Sequence, residues 1–225
     1  MKDKIQKLEK FAEIGRFSPS ILHDVLNPLT GLMLYLDSIK GESMHLTSAK
    51  ESSKKMRDFI NIIQEFIHGE KEQVSDLDEI IQNVIKIVST KARHNNISII
   101  FIRKNRVRIN CPPLFLYHIV INLLSNAIDA YDKIKDDRDK HINITLEQDS
   151  ANFCIKIIDN GSGITESEKL RIFNQFYTTK ESGTGTGLPT VKNILEKELN
   201  GSIEIESQIG IGSTFKALIP LKNRK

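Results

Sequence analysis

The sequence predicts a chain in two parts, a helical hairpin followed by an α/β sandwich with a mixed sheet. In the first third, apolar residues recur at three- and four-residue steps, which is the period of an amphipathic helix. After residue 75, strand-like alternation mixes with helical stretches without a strict strand–helix–strand repeat. The predicted boundaries are 1–68 for the hairpin, 69–75 for a polar hinge and 76–225 for the sandwich.

The hairpin consists of two amphipathic helices joined by a break at Gly41-Glu42-Ser43. Because a lone hairpin cannot bury both apolar stripes, we expect two copies to pair in a dimeric four-helix bundle. Packing against the rest of the same chain is the alternative. Pro19 predicts a bend or a restart in the first helix. The first stripe comprises Leu22, Leu26, Leu29, Met33, Leu36 and Ile39, and the second runs from Leu46 to Ile67.

The second part alternates helices and strands, and two prolines suggest where one helix starts. Proline is tolerated in the first turn of a helix, so Pro112-Pro113 can open a helix that runs through Tyr131. The other predicted helices are 76–93 and 189–199, and the predicted strands are 98–102, 106–110, 141–148, 152–158, 202–207 and 213–219.

Composition narrows the class of protein. The chain has 225 residues, 39% of them hydrophobic and 27% charged, which excludes wholesale disorder. The net charge of +3 is too weak to indicate nucleic-acid binding. Cys111 and Cys154 lack CxxC spacing, so we expect free thiols in a reducing compartment. The apolar runs are too short to span a membrane and no signal peptide is evident, so we expect a soluble, cytoplasmic chain.

A histidine on the first helix is the candidate nucleophile. His23 lies beside the apolar stripe, and Asn27 shares its helical face. A neutral imidazole in water is nucleophilic at pH 7. The adjacent Asp24 can accept a hydrogen bond from one ring nitrogen, which leaves the lone pair of the other nitrogen free to attack. A solvated surface histidine beside an aspartate is the alternative.

Two amides four residues apart interrupt an otherwise apolar helix. Asn122 and Asn126 share one face, where buried amides need partners. Mg²⁺ takes oxygen ligands and completes its shell with water and phosphate, so it would satisfy them. Capping of nearby loops is equally consistent with this segment.

Two glycine-containing segments predict a nucleotide pocket. An apolar strand ends at Asp159, followed by Gly161 and Gly163, and a carboxylate there can accept a hydrogen bond from an exocyclic amine such as that of adenine. The run Gly183–Leu188 leads into a helix, and its backbone N–H groups favour an anion such as a triphosphate. We interpret this run as a mobile lid, and a plain flexible loop is the alternative.

Five motifs together resemble, in family order, the H, N, G1, F and G2 boxes of sensor histidine kinases of two-component systems. They are His-Asp-x-x-Asn-Pro from His23, Asn-x-x-x-Asn-Ala from Asn122, Asp-x-Gly-x-Gly from Asp159, the run 173–180, and the glycine-rich run 183–188. The resemblance covers about residues 7–221, and segments 8–17 and 176–180 are similar to the nitrogen-regulatory branch.

The resemblance implies a dimerisation and phosphotransfer hairpin, then an ATP-binding sandwich of the Bergerat or GHKL fold. His23 is then the phosphoacceptor, Asp24 its activator, and Asn27 the residue that aligns water for dephosphorylation of the partner. The implied Mg²⁺ ligands are Asn126 and, less directly, Asn122. The implied ATP-binding residues are Asn122, Asn126, Asp129, Asp159, Gly161, Gly163, Thr179, Lys180, Gly183, Thr184, Gly185, Thr186, Gly187, Leu188 and Thr214.

The activity implied by the resemblance is that of a protein-histidine kinase. It would use Mg-ATP to phosphorylate His23 and pass the phosphoryl group to an aspartate of a response-regulator receiver domain, with phosphatase activity toward that partner. The implied assembly is a homodimer, and the signal would come from a separate sensor protein or from a sensor domain of a longer chain.

Three other classes of protein are weighed against this interpretation. GHKL ATPases that perform conformational work and serine kinases of the anti-sigma type lack the His-Asp-x-x-Asn hairpin. A dimeric scaffold that has lost ATP turnover is the third, and the intact glycine and asparagine motifs argue against it.

Overall fold

The computed structural model describes residues 74–103, 107–132, 134, 136–180 and 185–221. The predicted hairpin of residues 1–68, which carries His23, Asp24 and Asn27, lies outside the described residues. So do Gly183 and Thr184 of the predicted lid.

The described chain contains strands and helices in mixed order. They are β1 (Val74–Asp76), α1 (Leu77–His94), β2 (Ile97–Ile102), β3 (Arg108–Asn110), α2 (Pro113–Asp129), β4 (Lys140–Gln148), β5 (Asn152–Asp159), α3 (Glu166–Lys169), α4 (Gly187–Asn193), a π-helical turn (Ile194–Glu198), β6 (Ser202–Gln208) and β7 (Gly212–Pro220). None of the helices in this part of the chain has the length and apolar character needed to cross a membrane.

A mixed five-stranded sheet organises the fold, in the order β2-β4-β5-β7-β6. β2 and β4 are parallel, and the other pairs are antiparallel. The register places Asp159, the last residue of β5, opposite Ser213 near the start of β7. The end of one central strand therefore meets the beginning of the next, and the candidate site lies at this edge. The mixed sheet expected from the sequence is confirmed.

One face of the sheet forms the core with the helices. Alternate residues of β4, β5 and β7 are buried, such as Ile144, Ile157 and Phe215, which share one row of the register. α2 contacts β5 and β7, and α1 contacts α2 and β2. Burial of this kind contributes about 25 cal/mol per Å² of apolar surface, so it is the main source of stability.

Local sequence determines where the two long helices begin. The side chain of Asp76 accepts a hydrogen bond from the backbone N–H of Glu79 at 3.4 Å and thereby caps α1. Pro113 is the first residue of α2, where its missing N–H costs nothing. Most of α2 is buried, because it lies between α1, the sheet and α4.

Three features differ from the elements predicted by sequence. β1 includes Val74 and Ser75, which belong to the predicted hinge; Ser75 is buried, and its hydroxyl donates to the carbonyl of Cys111 at 2.5 Å. The short helix α3 was not predicted, although Thr165 and Glu168 form a complete capping box at its start. The predicted helix 189–199 starts two residues earlier, at Gly187, and ends as a π-helical turn.

Candidate active site

A buried carboxylate stands at the edge of the sheet where β5 ends. Asp159 is only 5% exposed. Its Oδ1 accepts two hydrogen bonds, from the backbone N–H of Gly161 at 2.9 Å and from that of Ser213 at 3.3 Å. The second oxygen, Oδ2, accepts no hydrogen bond from the described residues. The side chain is thus held by one oxygen while the other is available to a ligand.

Burial has a clear effect on the ionisation of this carboxylate. It raises the pKa of Asp159 from 3.8 to about 6, because desolvation disfavours the charged form. The N–H groups of Gly161 and Ser213 act in the opposite direction and stabilise the carboxylate. Asp159 is therefore mainly ionised at pH 7, and an ionised carboxylate is a hydrogen-bond acceptor only.

Glycine is required where the chain passes around Asp159. A Cβ on Gly161 would lie 2.6 Å from the Cβ of Ala130 and 2.9 Å from Asp159 Oδ1. Gly163 has a φ of +70°, and a Cβ there would lie 2.1 Å from the carbonyl oxygen of Gln208. The structure thus places both glycines of the predicted motif beside the carboxylate, in positions where backbone segments approach closely.

The loop behind the carboxylate is held by a guanidinium group. Arg138 donates to the carbonyl oxygens of Asn160 at 2.9 Å, Gly161 at 3.4 Å and Gly210 at 3.0 Å. Its other nitrogens form a bidentate pair with Asp136. Because five N–H donors are fixed in one plane, a single side chain joins the β5 loop to the β6–β7 turn.

Asn160 joins the same loop to its neighbours. Its side-chain oxygen accepts from the Tyr131 hydroxyl at 2.6 Å and from the backbone N–H of His141 at 3.0 Å. Its amide nitrogen donates to the carbonyl of Asp139 at 2.7 Å. Burial raises the pKa of Tyr131 to about 12, so this hydroxyl remains a neutral donor at physiological pH.

The polar face of α2 forms the second half of the site. Lys180 donates from Nζ to Asn126 Oδ1 at 2.7 Å and to Asp129 Oδ2 at 2.5 Å. A second lysine, Lys91 of α1, pairs with Asp129 Oδ1. Two cations and two kinds of oxygen acceptor therefore meet at one place, formed by α1, α2 and the segment after α3.

Asn122, one turn before Asn126 on α2, lies beside the start of α4 and makes no hydrogen bond with Lys180 among the described residues. Its amide nitrogen donates back to the carbonyl of His118 at 2.8 Å. A Cβ on Gly187 would lie 2.5 Å from its Oδ1, so the first residue of α4 passes directly over this amide. The structure therefore brings Asn126 and Asp129 together at Lys180, whereas Asn122 faces Gly187.

The segments before and after the undescribed residues 181–184 are joined to each other. The backbone N–H of Phe176 donates to the carbonyl of Gly185 at 3.0 Å. A Cβ on Gly185, which has a φ of +65°, would lie 2.4 Å from the carbonyl carbon of Phe176. Thr179 is exposed and Leu188 is half-buried, and the carbonyl of Thr186 accepts from the backbone N–H of Thr190 in the first turn of α4.

The structure places Thr214 away from Asp159. Thr214 pairs with Ile158, one position along from Asp159, so its side chain points to the other face of the sheet. The residue opposite Asp159 is Ser213, which is 4% exposed and shares a hydrogen bond with Ser207 at 2.9 Å. In the sequence, the apolar residues Phe215, Ala217 and Ile219 alternate along β7. The same alternation places Ser213 on their face of the sheet, the face of Asp159.

The comparisons with known proteins agree with this fold. Residues 111–223 match the family described as histidine kinase-, DNA gyrase B-, and HSP90-like ATPase. The catalytic domain of histidine kinase ThkA is 30% identical with a TM-score of 0.59; the match covers 68% of this chain and 99% of that domain. A crystal structure of ThkA with the response regulator TrrA has a TM-score of 0.57 over the whole of this chain and 66% of that one, at 24% identity, and shows the fold alone.

The curated relatives include a sensor histidine kinase and a sporulation kinase. Sensor histidine kinase ZraS of Escherichia coli K12 is 30% identical over 98% of this chain and 48% of its own length. Sporulation kinase E of Bacillus subtilis is 29% identical over 99% of this chain and 30% of its own length. The chain thus spans half or less of the length of these two relatives.

The fold and the family match define an ATP-binding domain. The chain belongs to the family of histidine kinase-, DNA gyrase B- and HSP90-like ATPases, in its histidine kinase branch.

Proposed function

We propose that this chain is the catalytic core of a two-component histidine kinase, which phosphorylates His23 from ATP and transfers the phosphoryl group to an aspartate of a response regulator. The observation that carries the proposal is the pairing of a buried adenine-type acceptor, Asp159, with the polar cluster on α2. Residues 1–68 would form the dimeric hairpin, 69–75 the hinge, and 76–225 the ATP-binding domain.

Adenine recognition would rest on Asp159. Its Oδ2 is available, and its position is fixed by two backbone N–H groups on Oδ1. The exocyclic amine of adenine can donate to that oxygen. A guanine base carries a carbonyl oxygen at the same position, which would repel the carboxylate, so the site should select ATP over GTP.

The phosphate end would be formed by Lys180, Thr179 and the glycine-rich lid, including Gly185, Gly187 and Leu188. Lys180 already contacts Asn126 and Asp129. An ammonium group is strongly hydrated and seeks anions, so it would turn toward the phosphates when a nucleotide enters.

The α2 cluster also fits a hard cation. The oxygens of Asn126 and Asp129 accept the Lys180 ammonium, and amide and carboxylate oxygens are the ligands that Mg²⁺ prefers. Asn126 is therefore the candidate metal ligand, and Asn122, beside Gly187, lies closer to the lid. A Mg²⁺ ion bound at this place would neutralise part of the negative charge of the triphosphate.

The chemistry at His23 would be an in-line displacement. A ring nitrogen of His23 donates its lone pair to the γ-phosphorus, a nitrogen–phosphorus bond forms, and the bond to the β–γ bridging oxygen breaks so that ADP leaves. Asp24 orients the ring through its other nitrogen and accepts its proton. The phosphorylated nitrogen is then the donor to the carboxylate of the receiver domain, which restores His23.

Asn27 would serve the reverse, phosphatase function, because it shares a helical face with His23. The change Asn27→Ala should leave labelling of His23 unchanged and slow dephosphorylation of the phosphorylated regulator. Retention of a wild-type dephosphorylation rate in this variant would contradict the role.

The proposed function is tested by incubating the chain with γ-labelled ATP and Mg²⁺. We expect an acid-labile label on the wild type, no label on His23→Gln, and movement of the label to a receiver domain added after ATP is removed. If ATP is bound but no label appears on the wild type with its sensor partner present, the kinase proposal fails.

A further inference from the structure

Asp129 lies between two lysines that come from distant parts of the fold. Lys91, in the last turn of α1, contacts its Oδ1, and Lys180 lies 2.5 Å from its Oδ2. The Asp129 side chain is only 14% exposed, so this carboxylate is fully engaged by the two ammonium groups. Lys91 belongs to none of the five sequence motifs, and only the packing of α1 against α2 brings it to the site.

The cluster carries surplus positive charge. Two ammonium groups and one carboxylate leave a net charge of +1 beside the amide oxygen of Asn126. Because the carboxylate is partly buried, its charge is screened less than on an open surface and would repel a triphosphate if it were not neutralised. With a single lysine, the cluster would have no surplus charge to offer an anion.

Lys91 also has N–H donors that the contact with Asp129 does not use. An ammonium group has three N–H donors, and among the described residues Lys91 uses one, on Asp129. Its side chain is 54% exposed, so the remaining donors face solvent next to the site. Donors of this kind form charge-assisted hydrogen bonds with phosphate oxygens.

We propose that Lys91 is a phosphate-binding residue of the nucleotide site, acting with Lys180 across Asp129. The proposal rests on the proposed function, since it takes the ligand to be an adenine nucleotide. Lys91 neutralises Asp129 and directs its free donors at the phosphate chain, which leaves Lys180 available to do the same from the other side.

The alternative for Lys91 is an ion pair that only holds α1 to α2. The two roles differ in how the effect depends on the ligand. A structural ion pair affects all ligands of the pocket equally, whereas a phosphate-binding residue affects only ligands that carry phosphate.

The experiment measures binding by calorimetry in Mg²⁺ with the full 225-residue chain. The probes are adenosine, ADP and a non-hydrolysable ATP analogue. The variants are Lys91→Met, Lys91→Arg and the control Lys86→Met; Lys86 is exposed on the same helix.

We expect Lys91→Met to bind adenosine like the wild type and to bind ADP and the ATP analogue about tenfold more weakly, the loss of one charge-assisted hydrogen bond. Lys91→Arg, which keeps the charge, should stay within about threefold of the wild type. Lys86→Met should match the wild type with all three ligands.

Two results would overturn the inference on Lys91 alone. One is unchanged binding of ADP and the ATP analogue by Lys91→Met, and the other is an equal loss for adenosine, which would assign Lys91 a structural role. If the wild type and Lys86→Met bind none of the three ligands, the proposed function itself fails together with this inference.

Discussion

The ammonium group of Lys180 lies 2.7 Å from the side-chain oxygen of Asn126. Lys180 follows the segment 173–179, whereas Asn126 lies near the end of α2. The contact joins the lid-side segment to the helix that carries the candidate Mg²⁺ ligand. Under the proposed function, Mg²⁺ would replace the Lys180 ammonium on this oxygen when a nucleotide binds.

The first prediction concerns Lys180. Lys180→Met should weaken binding of ADP and ATP by about tenfold, because one charge-assisted contact with phosphate is lost, and should leave adenosine binding unchanged. Calorimetry with the three ligands measures this, with Lys197→Met as a control because Lys197 is exposed on the π-helical turn. Equal affinities for ATP in Lys180→Met and the wild type would contradict it.

The second prediction concerns the titration of Asp159. Lowering the pH should weaken adenosine binding and increase the contribution of Asp159 to the free energy of unfolding. In the proposed site, adenine recognition would require the carboxylate, and the pKa of Asp159 in the free protein is about 6. Adenosine affinity should therefore fall as the pH decreases below about 6, and adenosine carries no phosphate whose titration would interfere. Affinity that is constant from pH 7.5 to 5 would exclude this role.

Stability should change in the other direction. The folded pKa of about 6 lies above the ordinary value of 3.8, so the folded state binds the proton more tightly. The contribution of Asp159 to the free energy of unfolding is thus greatest below pH 3.8 and falls by about 3 kcal/mol as the pH rises to about 6. Denaturant unfolding of the wild type and Asp159→Asn over this window measures the difference, which should be absent in the variant.

The third prediction separates Ser213 from Thr214. Ser213→Val should weaken adenosine binding several-fold, because it fills buried space opposite Asp159 and removes the hydrogen bond to Ser207. Thr214→Val, on the other face of the sheet, should bind adenosine like the wild type. The reverse order of effects in a binding titration would place Thr214 at the adenine instead.

The fourth prediction concerns Arg138, which joins three carbonyl groups around the pocket. Arg138→Met should lower the free energy of unfolding, because the carbonyl groups of Asn160 and Gly210 lose a charged donor. It should also weaken adenosine binding, because the loop that carries Gly161 is no longer fixed. The control Arg93→Met, whose side chain is exposed, should change stability by less than about 0.5 kcal/mol in chemical denaturation.

Sequence patterns predicted the regular parts of the described fold. The apolar period of α1, the proline at the start of α2 and the alternation in β4, β5 and β7 are local signals, and the structure contains each element. β1 was missed because three residues are too few to show a period, and its pairing with β3 is non-local. α3 was missed because it buries no residue, so it has no apolar stripe.

The residues of the candidate site could be predicted from the sequence only where they belong to one of the five motifs. Asp159, Gly161 and Gly163 come together as expected, since the turn is local in sequence. Lys91 could not be predicted, because its contact with Asp129 spans 38 positions and depends on helix packing. Thr214 was assigned as an ATP-binding residue from the family resemblance. Strand alternation instead places Ser213 on the face of Asp159.

The most direct test of the central claim is transfer of the γ-phosphoryl group of ATP to His23, compared in the wild type, His23→Gln and Asp159→Asn. With γ-labelled ATP and Mg²⁺, we predict acid-labile label on the wild type and none on either variant. His23→Gln should still bind ATP like the wild type, whereas Asp159→Asn should bind it weakly. Label that persists on His23→Gln at the wild-type level would contradict the account, because the phosphoryl group would then reside elsewhere.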